Sequence, residues 1–289
     1  MDWVVLSLLS ALTQASRNAV MKHLGHQLDE YINVFGRFIF LLPFAAAMVV
    51  WKGVPSIQPG FFWACLLFGL CQTATALALS KALLYGDIGV ATSLQKLSIL
   101  WLLVLSFFTL GEVPSPLGLA GIGVTLAGVY GLNVSRARIS LWEPIRTLIT
   151  DRGQRYTVLS SLMYAPSVVT FKWAALTSDA SFATLGVYAA AALFALPVTL
   201  RYSSRHFREI PRLWKGFSSM GLFAAISSLA SAEAYRLTLS SYVESVKQIE
   251  ILFAVGIGYV LFRERERLAE VLAGGVAIMV GLVFLILSG

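Results

Sequence analysis

The chain of 289 residues is 57% hydrophobic and 13% charged, with a mean hydropathy of +0.77, whereas a soluble domain carries about 25% charged residues. That balance excludes a soluble globular protein and fits a chain threaded repeatedly through a bilayer. The formal charge of +7 does not point to nucleic acid as a partner, because the basic residues gather beside the ends of apolar stretches, where positive-inside bias places them.

At roughly 20 apolar residues per helix, ten spans are expected, over residues 4–20, 31–51, 61–84, 88–110, 117–134, 157–176, 182–200, 217–237, 242–262 and 268–287. The predicted fold is therefore an all-α integral membrane protein. The first span is kept rather than read as a cleaved signal, since Asp2 stands where a basic start belongs and the apolar run passes into Gln14, Arg17, Asn18 and Lys22. Cys65 and Cys71 fall in one span on opposite helix faces, which suits neither a disulfide nor a metal site. His23, His26 and His206 lie in short connections and are poor candidates for metal ligands, His23 and His26 standing at helical spacing with no acidic or thiol partner nearby. No metal or other cofactor is expected.

Self-comparison predicts a duplication. Residues 83–112 overlie residues 235–264 without a gap at an offset of 152, which pairs Gln95 with Lys247, Lys96 with Gln248 and Glu112 with Glu264. One residue of insertion later, Gly121 and Gly128 meet Gly274 and Gly281, and near the start of each half Lys22 overlies Lys172. Residues 1–134 form a first five-helix repeat, residues 135–156 a basic connection and residues 157–289 a second repeat. An odd number of spans per repeat inverts the second half in the membrane, the arrangement in which transporters bind solute near the midplane and alternate access between the two sides. Arg136, Arg138, Arg146, Arg152 and Arg155, then Arg201, Arg205, Arg208, Arg212 and Lys215, then Arg263, Arg265 and Arg267 all follow odd-numbered spans. Those connections are predicted to be cytoplasmic, which places both termini outside the cell membrane.

Span nine carries Glu244, Lys247, Gln248 and Glu250. Charges inside a span cost at least a few kcal/mol each and face protein or water rather than lipid. At helical spacing 244, 247 and 248 share one face. A solute site there, with Gln72, Gln95 and Lys96 as further binding residues, suits a polar solute bearing an anionic group; a buried ion pair or a polar clamp between helices is the structural alternative. Glu250 has only Ser98 as its repeat counterpart and is a candidate coupling carboxylate. Lys22, Lys81, Lys172 and Glu233 fall in last helical turns, where they are gate candidates or simply snorkel to the interface. Glu112 and Glu264 are expected to favour the N-termini of the helices that follow them. Gly121, Gly128, Gly274 and Gly281 are expected to allow close helix approach. No phosphate loop and no clustered nucleophile, base or metal set occurs, so neither nucleotide-driven transport nor enzymatic activity is expected.

The segments ALLYGDIGVATSL at 82–94 and FFTLGEVPSPLGLAGIGVTLAGVYGL at 107–132, with VLFRERERLAEVLAGGVAIMVGLVFLIL at 260–287, resemble the EamA type of the drug/metabolite transporter superfamily. The resemblance covers nearly the whole chain. It implies two five-helix repeats, a central cavity lined mainly by spans one, three, four, six, eight and nine, and peripheral spans five and ten. Many relatives carry proline near the positions of Leu97 and Ile249; the sequences QKLS and KQIE here imply a more polar cavity and a different substrate. Relatives are often drawn with cytosolic termini, against the charge count above. The expectation is a secondary active transporter for a small polar, anionic or amphoteric metabolite such as an amino acid, coupled to protons or working by exchange. The alternative is a flippase for a lipid-linked head group. Expected partners are a small polar solute, protons and membrane lipids, with no nucleic acid, in a monomer or homodimer.

Overall fold

The computed structural model describes residues 2–25, 28–85, 91, 94–137, 151–262 and 268–288, and all the regular structure among them is helical. In order these are α1 (Asp2–Gly25), α2 (Glu30–Ile39), α3 (Leu42–Lys52), α4 (Phe61–Tyr85), α5 (Ser98–Leu110), α6 (Pro116–Ala137), α7 (Arg152–Leu176), α8 (Ala180–Ser203), α9 (Trp214–Leu237), α10 (Ser240–Val246), α11 (Glu250–Phe262) and α12 (Leu268–Ser288). A 3₁₀ turn, Ser204–Glu209, follows α8, and another, Lys247–Ile249, joins α10 to α11.

Several expected spans are interrupted among the described residues. Residues 31–51 divide into α2 and α3 at Phe40 and Leu41, with Pro43 in the first turn of α3, where its missing N–H costs nothing. Residues 242–262 divide at Lys247. Among the described residues, three helical stretches, Glu30–Lys52, Phe61–Ala82 and Ala180–Glu209, meet both the length and the hydropathy needed to cross a bilayer. The breaks shorten other apolar runs, and buried serines, threonines and charges dilute them, as in α9 with Ser227, Ser228 and Ser231.

The contacts divide into two units, residues 74–169 with 238–289 and residues 2–73 with 170–237. Each unit draws on both halves of the sequence. In the second, α1 lies along α9 with Ser10 Oγ 3.0 Å from Ser227 Oγ and 2.7 Å from Ser231 Oγ. Small hydroxyl side chains let the two backbones approach and satisfy one another in apolar surroundings. Phe68, Phe171, Tyr188 and Tyr235 pack edge to face or tilted at 5.3–6.1 Å between centroids. Asp29 caps α2 through the Ile32 N–H at 3.0 Å and also accepts Ser203 Oγ at 2.7 Å, while His206 Nδ1 lies 3.1 Å from its other oxygen.

In the first unit α6 and α12 meet through glycines. A Cβ on Gly121 would lie 2.9 Å from the Gly281 carbonyl oxygen, and one on Gly128 would lie 2.8 Å from Ala277 Cβ. Added side chains there meet backbone, which cannot step aside as a flexible side chain can. Gly281→Leu is expected to destabilise the protein by about 1–3 kcal/mol, the cost of overpacking. Gly123→Leu, at a position with nothing within 4 Å of its added Cβ, is expected to leave the detergent unfolding midpoint unchanged.

Candidate functional site

Helix α5 ends at Gly111, whose φ of +66° is the left-handed conformation that glycine adopts without strain. The Glu112 N–H then returns to the Ser106 carbonyl at 3.2 Å. This turn delivers the Glu112 side chain to α10 rather than to the helix that follows it in sequence. Both its carboxylate oxygens accept the Ser240 N–H at 3.0 Å, and Oε2 accepts Ser240 Oγ at 2.6 Å. Glu112 therefore caps α10, a correction to the expectation that it serves α6. In return the Tyr242 hydroxyl accepts the Ser115 N–H at 3.0 Å, just ahead of α6. The repeat partner Glu264 lies outside the described residues.

One turn into the capped helix stands the charged cluster. Glu244 is 2% exposed and Lys247 6%, so both are withdrawn from solvent and lipid. Lys247 Nζ donates to Glu244 Oε1 at 2.6 Å, and the Tyr164 hydroxyl of α7 donates to Oε2 at 2.8 Å. Each carboxylate oxygen thus receives a donor, the condition under which a buried charge pair is tolerated. Gln248 donates through Nε2 to the Glu244 carbonyl at 3.0 Å. The side chain takes an acceptor that continuous helix would leave to the backbone ladder.

The backbone loosens at this point. Glu250 donates its N–H to Lys247 O, a three-residue 3₁₀ spacing. A comparable irregularity precedes α5, where the Leu97 N–H bonds to Leu94 O at 3.0 Å and the Leu100 N–H to Leu97 O at 2.9 Å. The two breaks fall at residues superposed by the offset of 152, and neither contains proline. Gln95 and Lys96 sit at the first, both half-buried. The Gln95 Oε1 and Gln248 Oε1 atoms are buried and accept no hydrogen bond, so the two amides do not pair with one another through these oxygens. Helix α10 packs against α5, α6 and α12.

The structure thus brings together Glu244, Lys247 and Gln248 as the spacing anticipates, and adds Tyr164, which sequence reasoning missed. Glu250 begins α11 and is half-buried. Lys81 is exposed at the end of α4, its ammonium 5.5 Å from the Tyr156 ring centroid, a cation–π distance. In the other unit Gln72 and Lys172 are buried in α4 and α7. Glu233 pairs with Arg236 of its own helix at 3.3 Å. The side chain of Lys22 lies outside the described residues.

Residues 1–134 match the model of the EamA-like transporter family. No curated protein matches the sequence significantly. A solved crystal structure, described only as that of a protein, is similar in fold, with a TM-score of 0.78 at 15% identity over 99% of this chain and 97% of its own.

Proposed function

We propose that this chain, whose residues 1–134 match the model of the EamA-like transporter family, is a secondary active transporter that moves a small polar, anionic or amphoteric metabolite across the cell membrane by alternating access. Ten spans cross the bilayer as inverted repeats over 1–134 and 157–289, joined by the basic connection 135–156, with both termini outside. The observation that carries this reading is a buried salt bridge at a break between two helices of a predicted span. A polar and equally irregular stretch stands at the matching residues of the first half. Irregular backbone and charge at membrane depth are characteristic of solute and ion sites. Gln95, Lys96, Glu244, Lys247 and Gln248 are the substrate-binding candidates of the first unit, and Gln72 on α4 is a candidate in the second. Lys22, Lys81, Lys172 and Glu233 are the gate candidates.

Glu250 is the coupling carboxylate. In proteoliposomes the protein is expected to show saturable counterflow of its solute and accumulation against a gradient when a proton gradient is imposed. Glu250→Gln is expected to keep counterflow and to lose accumulation. Accumulation unchanged in that variant would remove Glu250 from the coupling step. Transbilayer movement of a labelled lipid without solute counterflow would support the flippase alternative instead.

A further inference from the structure

We infer that the corner between α8 and α9 is a docking surface for the phosphate head groups of anionic phospholipids, carried by Arg205, Arg208, Arg212 and Lys215; the inference does not depend on which solute the protein moves. The corner stands at the end of the Ala180–Glu209 stretch, which is long and apolar enough to cross a bilayer, so its residues meet the head-group layer. Residues 201–215 hold five lysines and arginines against a single carboxylate, Glu209.

Positive-inside bias accounts for cations in a connection but does not require that connection to be folded. This one is. In the 3₁₀ turn Ser204–Glu209 residues three apart share a face, which sets Arg205 and Arg208 together. Phe207, on another face, packs on Phe35 of α2 at 5.6 Å between centroids, and His206 Nδ1 and Ser203 Oγ both meet Asp29 ahead of α2. Those contacts pin the inner side of the turn and leave Arg205 and Arg208 exposed. The Leu213 N–H returns to the Glu209 carbonyl at 3.0 Å, and beyond that bend Arg212 and Lys215 are exposed, again three apart. Glu209 lies 3.9 Å from Arg212 with both side chains open to solvent, a pair worth little. No carboxylate among the described residues pairs with Arg205, Arg208 or Lys215.

Two rings flank the cations. Tyr202 stacks on Tyr31 at 5.3 Å and is still 62% exposed, and Trp214 is 55% exposed. A soluble polyanion would meet the cations and leave these rings bare. A phospholipid covers both, its phosphate taken by guanidinium donors and its glycerol and upper acyl region lying against rings of the kind that gather at the membrane interface.

The test places the full chain in nanodiscs of phosphatidylcholine alone and of an equal mixture of phosphatidylcholine and phosphatidylglycerol, reading the unfolding midpoint and, by native mass spectrometry, the lipids retained. Wild type is expected to unfold at a higher temperature in the mixture, by a gain that shrinks as salt is added, and to retain phosphatidylglycerol in preference. The pair Arg205→Gln, Arg208→Gln is expected to lose at least half of the gain and to weaken that retention about tenfold, whereas Arg205→Lys, Arg208→Lys keeps most of both. Arg212→Gln, Lys215→Gln is expected to lose as much and decides the matter if the first pair does not fold. An unchanged gain in both glutamine pairs would overturn the inference. So would an equal loss in Arg152→Gln, Arg155→Gln, two exposed cations outside the corner, since a diffuse surface charge would then explain the effect. A gain reproduced in phosphatidylcholine by soluble glycerol phosphate would overturn the assignment to a lipid. Each of these outcomes leaves the carrier reading to be judged by counterflow.

Discussion

Lys247→Ala is expected to destabilise the protein by about 3–5 kcal/mol, the cost of leaving one member of a buried ion pair without its partner. Glu244 would keep the Tyr164 hydroxyl and lose the charge that compensates it at 2.6 Å. The double variant Glu244→Gln, Lys247→Met removes both charges at similar volume, and it is expected to recover most of the lost stability, because a buried pair replaced as a unit is often close to neutral. Detergent unfolding of the two single variants and the double gives the coupling between them. Transport separates the two roles. If the pair belongs to the solute pathway, counterflow stays absent in the stable double variant; wild-type counterflow there would reduce the pair to helix packing.

The second large effect is expected from Glu112→Leu. That change leaves the Ser240 N–H and hydroxyl buried without an acceptor, at about 1–3 kcal/mol for each group, and removes a carboxylate from the N-terminus of α10, where it is favoured by the helix dipole. Glu112→Gln keeps an acceptor for the N–H and is expected to cost less than half as much. Ser240→Ala, which removes the hydroxyl and keeps the backbone N–H as a donor to Glu112, should fall between wild type and Glu112→Leu. An equal loss in all three variants, measured as unfolding midpoints, would mean that crowding at the corner and not the cap sets the cost.

What the sequence discloses depends on how local each feature is. The helical course follows from apolar runs, and the 244–247–248 face follows from helical spacing, so the Glu244–Lys247 pair is readable without coordinates. Tyr164 is not, because it meets Glu244 across 80 residues of chain and an aromatic residue in an apolar span carries no signal of its own. Glu112 was legible as a cap and illegible as to which helix it caps, since that is decided by the left-handed turn at Gly111. The glycines of α6 and α12 were read correctly from their matched spacing; their contact distances needed the fold. The break at Phe40 and Leu41 had a local marker in Pro43, whereas the break at Lys247–Ile249 has none. There the irregularity coincides with side chains that offer the backbone other partners, as Gln248 does for Glu244 O.

The reciprocal caps between the α5–α6 corner and the start of α10 bear on how the chain is made. Glu112 and Ser115 leave the ribosome well over a hundred residues before Ser240 and Tyr242, their partners in the finished protein. Until the later segment arrives, the donors that Ser240 gives the Glu112 carboxylate do not yet exist. The cap that completes α10 also completes the corner between α5 and α6, so late synthesis finishes an early element.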